Sequence, residues 1–212
     1  MDFQRARTGE QKQSRRDMLV HIATEQFDKD GYDNLNLSAI AEQAGLTRPA
    51  IYRYFHNKEA ILLRVMLKDF DDWSKDLVAS FSSEKRYEVV EIADIWTASI
   101  LSRERMLKLY SIYNAILEKN LSVDDLVDFE KSSLRAMQPV MKLVERLFPR
   151  ATKEQVKGFL DVQLALAFGF YLTSHVGITR LEAAKLANTA FVVPSFTSSY
   201  RNNICRLMYY LE

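Results

Sequence analysis

Residues 38–58 have the sequence Ser-Ala-Ile-Ala-Glu-Gln-Ala-Gly-Leu-Thr-Arg-Pro-Ala-Ile-Tyr-Arg-Tyr-Phe-His-Asn-Lys, and this stretch decides the fold of the chain. Its apolar residues predict two short helices that meet at a tight turn. Gly45 ends the first helix, because glycine adopts the left-handed conformation past a helix end at little cost. Thr47 is placed to cap the second helix through its side chain. Pro49 falls in the first turn of that helix, where its missing N–H is not needed.

The second of these helices has one apolar face and one polar face. Ile51 and Phe55 are four residues apart and are predicted to point into a core. The other face carries Arg48, Tyr52, Arg53 and Tyr54. This pattern predicts a helix-turn-helix, in which the second helix lies in the DNA major groove.

Helices are predicted on both sides of this stretch. One spans Ser14 to about Asp30, and Gly31 ends it. Asn36 is a good cap for the next helix, and Asn57 caps a fourth helix that runs to about residue 80. Residues 1–13 are polar, and we expect them to form a flexible tail.

The chain beyond residue 86 shows only helical periodicity, and no stretch predicts a strand. Helices are predicted over about 86–101, 102–117 and 122–148, with Pro139 bending the third. The predicted fold class is therefore all-α, with a three-helix helix-turn-helix domain followed by a larger helical domain.

The last two long helices bear on the oligomeric state. Capping boxes at 152–155 and 179–182 predict where they begin, and Pro194 is expected to break the second, leaving a final turn or two near residues 204–211. Residues 159–171 are apolar on every side of the first helix, so every side has to be covered. Either the helix is buried within one chain, or a second copy of the chain covers its outer face. The final helix carries small residues that permit close packing: Ala183, Ala184, Ala187 and Ala190.

The overall charge excludes a general polycation, because the net charge is only +1. The basic residues are instead concentrated locally. Residues 45–58 hold Arg48, Arg53 and Lys58 and no acidic residue, which favours nucleic acid as a partner of this stretch.

The remaining composition bounds the cellular context. The single cysteine, Cys205, excludes an intramolecular disulfide and fits a reducing cytoplasm. The most apolar run, Leu164–Leu172, is shorter than the roughly 20 residues that span a bilayer, so no membrane partner is expected.

Enzyme chemistry has little support in the sequence. His21, His56 and His175 are scattered without metal-ligand spacing, and there is no glycine-rich phosphate loop or nucleophile elbow. No catalytic residue, metal or cofactor is therefore predicted.

A string of residues around the turn matches a known pattern. Its members are Ala23, Phe27, Gly31-Tyr32, Leu37, Ile40-Ala41, Ala44-Gly45-Leu46, Ile51-Tyr52, Phe55 and Lys58-Glu59. With this string, residues 14–62 resemble the N-terminal DNA-binding domain of the TetR family of bacterial transcriptional regulators. The resemblance implies a DNA-binding domain over 14–58 and a ligand-binding and dimerisation domain over 59–212.

The resemblance also implies which residues contact DNA. Those expected at the sugar-phosphate backbone are Asn36, Thr47, Tyr52, Tyr54 and Lys58. Arg48 and Arg53 are expected at base edges, because a guanidinium can bind guanine O6 and N7 together. Pro49 is expected to contact a thymine methyl. The alternative for the two tyrosines is partial burial in the core.

A ligand cavity in the helical domain is implied by the resemblance alone, since a stripe of aromatic residues is otherwise plain core. The candidate lining residues are Trp96, Tyr110, Tyr113, Met137, Met141, Phe168, Tyr171 and His175. Tyrosine hydroxyls and His175 would be the polar anchors of a mainly apolar or aromatic effector.

These expectations together describe a homodimeric regulator that an effector releases from a palindromic operator of double-stranded DNA. Two-fold symmetry of the protein matches the symmetry of such a site. The alternatives are a co-repressor-dependent or activating member of the family, or a helical protein–protein adaptor that has lost DNA binding.

Overall fold

The computed structural model describes residues 9–212, and these residues form helices with no strand among them. The predicted all-α class is confirmed. The helices are α1 (Gly9–Asn34), α2 (Leu37–Gln43), α3 (Arg48–Ile51), α4 (Lys58–Ala79), α5 (Val89–Leu101), α6 (Glu104–Ile112), α7 (Val123–Leu147), α8 (Lys153–Ser174), α9 (Ile178–Leu186) and α10 (Phe196–Tyr209). A π-helical turn at Tyr113–Leu117 and a 3₁₀ turn at Glu118–Asn120 join α6 to α7.

The chain divides into two compact units. The first ends at Asp69 and also takes in Ile112–Ser132, and the second holds Phe70–Ser111 and Ser133–Glu212. The first unit therefore extends past the predicted domain boundary at residue 58. It does so because the first turns of α4 are apolar, and their buried residues Ile61, Leu62, Val65 and Met66 need a core.

The first helix begins earlier than the sequence predicted. α1 starts at Gly9, so residues 9–13 of the predicted tail are helical, while residues 1–8 lie outside the described part of the chain. Residues 10–13 are Glu-Gln-Lys-Gln, which are all good helix formers. Gly31 has a φ of 73° and interrupts α1 at the predicted end.

The local signals around the turn act as predicted. Asn36 Oδ1 accepts from the backbone N–H of Ala39 at 2.9 Å, and Asn57 Oδ1 accepts from that of Ala60 at 2.8 Å. Gly45 follows α2 with a φ of 65°, in the left-handed region that favours glycine. These caps set the directions of α2 and α4.

The second unit is built around buried aromatic residues. Trp73 lies edge-on to Trp96, with ring centroids 6.1 Å apart, and Trp96 lies edge-on to Phe159 at 5.2 Å. α10 packs against both α5 and α8 and buries Tyr200 completely. The capping box at residues 152–155 forms both of its hydrogen bonds and starts α8 at the predicted place.

The C-terminal helices differ from the prediction. Thr179 lies inside α9 and does not cap it, because Gly177 already has the extended backbone of an N-cap, with a φ of −65° and a ψ of 152°. α9 ends at Leu186, and Asn188 takes a positive φ of 51° just beyond it, well before Pro194. α10 is longer than the predicted turn or two, since Ser195 caps it directly after the proline.

One face of α8 remains exposed in the single chain. Val162 is 43% exposed and Leu172 is 54% exposed, and Ala165 and Gly169 lie exposed between them. The alternative in which one chain buries the whole helix is therefore wrong. By length and mean hydropathy alone the 22 residues of α8 suffice to cross a membrane, but its inner face is buried, as in the core helix of a helical domain.

Candidate nucleic-acid interface

The turn before α3 has a geometry that the sequence only partly predicted. Thr47 has the extended backbone of an N-cap, but its side chain forms no cap hydrogen bond, so the predicted capping role is wrong. The two backbone N–H groups from which the Thr47 side chain could accept a cap hydrogen bond are not available to it. Pro49 has no N–H, and the N–H of Ala50 donates to the Thr47 carbonyl oxygen at 2.8 Å. The exposed Thr47 hydroxyl is therefore not used in the cap.

The α3 region separates its residues as predicted. Ile51 is fully buried and Phe55 nearly so, whereas Arg48, Pro49 and Arg53 are exposed. α3 itself is only four residues long and continues as turns, in which the Phe55 N–H still donates to the Ile51 carbonyl at 3.1 Å.

The polar residues of this face are available to a partner. Tyr52 is 47% exposed, which contradicts the alternative that it is a core aromatic, while Tyr54 is half-buried. Arg48 and Arg53 form no ion pair with any residue from Gly9 onward. The exposed face of α3 therefore presents two unneutralised guanidinium groups.

Lys58 has partners within the protein. Its Nζ donates to the Tyr32 carbonyl oxygen at 2.9 Å and lies 3.9 Å from the centroid of the Tyr32 ring. The Tyr32 hydroxyl in turn donates to Glu59 Oε1 at 2.6 Å, and Glu59 is only 7% exposed. An ammonium has three N–H donors, so Lys58 keeps donors for a phosphate while it holds the α1–α2 connection against α4.

The same contacts change the acidity of Tyr32. Burial, together with the hydrogen bond to Glu59, raises the pKa of Tyr32 to about 12. Both causes favour the neutral phenol, because an ionised one would be poorly solvated and would face a carboxylate.

Two further residues flank the exposed face. Asn36 is exposed, but its Oδ1 is occupied by the α2 cap, so only its amide N–H groups remain for DNA. The Arg16 guanidinium lies 5.9 Å from the centroid of the Phe55 ring, which brings a cation of α1 beside the end of the α3 region. No sequence signal placed Arg16 near this face.

Three polar contacts connect the residues after α3 to the start of α7. Asn57 Nδ2 donates to the Asn120 carbonyl oxygen at 2.5 Å, and His56 Nε2 lies 3.4 Å from Asp125 Oδ2. Arg64, one turn into α4, pairs with Asp128 at 3.0 Å. No local sequence signal indicated these contacts, because the partners are more than 60 positions apart.

The predicted ligand-lining residues do not all come together. Tyr113 lies in the first unit, where its ring centroid is 5.2 Å from that of Phe129. The other seven are in the second unit. There, Tyr110 stacks on Phe168 at 3.5 Å and Tyr171 stacks on His175 at 4.1 Å.

The exposure of the remaining candidates differs widely. Trp96 is completely buried, Met137 is half-buried, and Met141 and His175 are exposed. Burial raises the pKa of the Tyr171 phenol, which favours its neutral form.

A buried polar centre that the sequence did not predict lies beside Trp96. Gln163 on α8 is completely buried, and its Oε1 accepts from Trp96 Nε1 at 3.1 Å and from the Tyr200 hydroxyl at 2.8 Å. Its Nε2 has no hydrogen-bond partner among residues 9–212. An indole N–H only donates, so the amide oxygen has to face Trp96 and the amide nitrogen has to face away. In the sequence, the only signal for this centre was that Gln163 is a polar residue within the apolar run 159–171.

The second unit also contains an open cleft of about 370 Å³. It is lined by Tyr87, Val89, Ile92, Leu147, Phe148, Pro149, Arg150, Leu211 and Glu212. None of the eight predicted ligand residues contributes to this cleft.

Comparison with known families gives two matches in succession along the chain. Residues 19–65 match the model described as bacterial regulatory proteins, tetR family. Residues 67–208 match the model described as tetracyclin repressor-like, C-terminal domain.

Individual relatives agree with these matches. The chain is 24% identical over 165 residues to the fatty acid metabolism regulator protein of Bacillus subtilis, covering 73% of this chain and 77% of that protein. It is 27% identical over 180 residues to the HTH-type transcriptional regulator ArpR of Pseudomonas putida, covering 81% and 82%. The fold resembles that of a protein assigned to the TetR family from Mesorhizobium loti, with a TM-score of 0.56, 16% identity, and coverage of 94% and 96%.

Proposed function

The chain belongs to the TetR family of bacterial transcriptional regulators, and on this basis we propose that it is a repressor that a mainly apolar effector releases from a palindromic operator. Members of this family are non-enzymatic DNA-binding proteins. The proposal therefore concerns the DNA contacts, the dimer, the effector and the sign of regulation. The proposal includes the localisation: the protein is cytoplasmic and is associated with the nucleoid when it is bound to DNA.

The observation that carries the proposal is the exposed face of α3. It presents Arg48 and Arg53 without ion-pair partners in the described chain, while Ile51 and Phe55 hold the helix in the core. A guanidinium that stays unpaired in the free protein loses no internal contact when it binds guanine, and a bidentate contact discriminates between bases by about 1–3 kcal/mol.

Phosphate contacts are assigned to residues around this face. The Thr47 hydroxyl is not used in the α3 cap, and the Tyr52 hydroxyl is exposed. Lys58, Tyr54 and the amide of Asn36 contact the backbone at the edges, and Pro49 meets a thymine methyl. Arg16 adds a cation that the sequence had not assigned to the interface.

The dimer forms through the exposed face of α8 together with α9. Five exposed residues of α8 recur every three or four positions and are small or apolar: Gly158, Val162, Ala165, Gly169 and Leu172. α9 adds Ile178, which is 75% exposed, and Leu186, which is 89% exposed. A two-fold dimer covers these residues and places two α3 helices on two half-sites, which favours a palindromic operator.

The effector binds among the helices of the second unit. Its apolar character is supported by the aromatic residues there and by one relative, a regulator of fatty acid metabolism. Gln163 Nε2, which has no partner in the described part of the chain, offers a buried donor for an oxygen of the effector, whereas His175 is exposed.

Release follows from linkage between the two ligands. An effector that prefers a conformer unable to bind DNA lowers operator affinity by its own differential affinity. A 100-fold weakening needs about 2.7 kcal/mol of coupling.

The test is selection of bound sequences from a random DNA pool, followed by affinity measurements at several salt concentrations. We expect a palindromic site, and we expect R48A to weaken binding by about 1–3 kcal/mol and to relax the preference at one base pair. T47A should weaken all sequences alike. K142A, which removes an exposed cation of α7, is the matched control and should bind as the wild type does.

The contrary result is equally clear. If a folded dimer selects no sequence from the DNA pool at low salt, DNA binding has been lost. A helical protein–protein adaptor is then the better hypothesis. Transcription from the selected site, with and without a candidate effector, then separates a repressor from an activating or co-repressor-dependent protein.

A further inference from the structure

Asn57 makes hydrogen bonds in two directions. Its Oδ1 caps α4 by accepting from the Ala60 N–H, and its Nδ2 donates to the Asn120 carbonyl oxygen at 2.5 Å. One side chain therefore fixes both the start of α4 and the position of residue 120. An amide can do this because it carries an acceptor and a donor on the same carbon.

Two contacts to aspartate side chains lie beside this amide. Asp125 and Asp128 are three positions apart and so lie on one face of α7. Asp125 faces His56, and Asp128 pairs with Arg64. Asp125 also accepts from the Ser122 N–H at 3.0 Å, which holds the first turn of α7 in place.

The segment that carries these partners is anchored by its own apolar residues. Leu117 is fully buried, Phe129 is nearly so, and Tyr113 packs against Phe129. Residues 112–132 thus belong to the same compact unit as α1–α3. They begin in a π-helical turn, a rare form that is frequently found at functional sites.

We propose that Asn120, Asp125 and Asp128, here called the brace, act as positioning residues for DNA binding. The inference rests on the proposed function. The brace touches no DNA. It holds the turn between α3 and α4, through His56 and Asn57, in the orientation that presents the α3 face. DNA affinity then depends on α7, which continues past Ser132 into the second unit.

The expected effect follows from populations. If the brace stabilises the orientation that binds DNA, removing a contact lowers the populated fraction of that orientation, and affinity falls by the same factor. The loss of one hydrogen bond or one partly exposed ion pair corresponds to about a fivefold change or less.

The experiment uses N57S and D128N in the full-length dimer. Serine also caps helices, so N57S keeps the start of α4 but removes the donor to Asn120. D128N removes the negative charge that pairs with Arg64. D124N is the matched control, since Asp124 is an exposed acid in the same first turn of α7 and faces none of the three contacts.

Two readouts separate positioning from simple stability. The first is affinity for the selected operator, where we expect N57S and D128N to weaken binding by about threefold to fivefold each, with D124N unchanged. The second is amide hydrogen exchange of residues 113–128. Linkage is reciprocal, so operator DNA should slow this exchange in the wild type and in D124N, and should slow it less in N57S.

The outcomes distinguish this inference from the proposed function. A wild type that selects no operator contradicts the proposed function, and the brace with it. A wild type that binds its operator, with N57S and D128N showing the same affinity and the same protection of residues 113–128, contradicts the brace alone. A lower melting temperature with unchanged operator affinity would likewise show that these contacts stabilise the fold without positioning the α3 face.

Discussion

At the scale of single residues, the cations of the first unit differ in what they already bind. Lys58 donates to a backbone carbonyl and lies over the Tyr32 ring, and Arg64 pairs with Asp128. Arg48 and Arg53 have no such partner within residues 9–212. We therefore expect the two arginines of α3 to contribute most of the binding energy for DNA, since an ion pair that must first be broken returns little net energy.

Tyr32 gives a prediction for alkaline pH. Its pKa of about 12 lies above the ordinary value of 10, so the hydrogen bond to Glu59 stabilises the fold fully below pH 10 and is lost as the pH rises through 12. Absorbance at 295 nm, taken as the wild type minus Y32F, measures this phenol alone. At pH 10.5 we expect about 3% ionisation, whereas an unperturbed phenol would show roughly 75%.

The same variant tests the packing. Phenylalanine keeps the ring under Lys58 but leaves the buried Glu59 carboxylate without its donor. We expect the free energy of unfolding of Y32F to fall by about 1–3 kcal/mol at neutral pH. A difference spectrum with its midpoint near pH 10 would contradict the hydrogen bond.

At the scale of elements, the turn between α2 and α3 depends on one backbone conformation. The N–H of Leu46 donates to the Ala41 carbonyl at 2.8 Å, and this bond closes the turn only because Gly45 takes a positive φ. The turn does not depend on the side chains on either side of Gly45. Those side chains can therefore pack in the core or face DNA.

Gly45→Ala measures this dependence. A Cβ in the left-handed region costs roughly 1–2 kcal/mol, so we expect chemical denaturation to show a loss of stability of that size. E42A, an exposed change in the preceding helix turn, is the control and should alter stability by less than about 0.5 kcal/mol. Equal stability of G45A and wild type would mean that the chain ends α2 in another way.

At the scale of the whole molecule, one face of α8 stays exposed in the single chain although its residues are small or apolar. Small and apolar residues recur along it, and α9 adds more apolar surface. Such a surface is typical of an interface, because contiguous exposed apolar residues are uncommon on monomers. We therefore propose that a second copy of the chain covers this face.

Val162→Glu tests this interface. A carboxylate at the centre of the α8 face would be buried unpaired in a dimer, which costs several kcal/mol. Sedimentation equilibrium should show a monomer at concentrations where the wild type is dimeric, and operator binding should fall with it. K157Q also makes the charge more negative by one, from an exposed position off this face, and should stay dimeric. A dimeric V162E would place the interface elsewhere.

Prediction from the sequence succeeded mostly where the interacting groups are close together along the chain. The caps at Asn36, Gly45 and Asn57 and the capping box at 152–155 were predicted correctly, because each involves groups within about four residues. Thr47 was predicted wrongly as a side-chain cap even at this range, since the nearby proline removes one donor and the Thr47 carbonyl takes the next. Thr179 failed because Gly177 starts α9 earlier.

The helical class, the helix-turn-helix and the two-sided character of α3 could be predicted from the amino-acid sequence, because these follow from periodicity and local capping. The folded structure was needed to show that residues 112–132 belong to the first unit, and that Gln163, not His175, is the buried polar centre of the second unit. The contacts that establish both features join residues far apart in the chain, such as Asn57 with Asn120 and Trp96 with Gln163. Their formation depends on how helices pack, and packing is a property of the folded chain that no local pattern records.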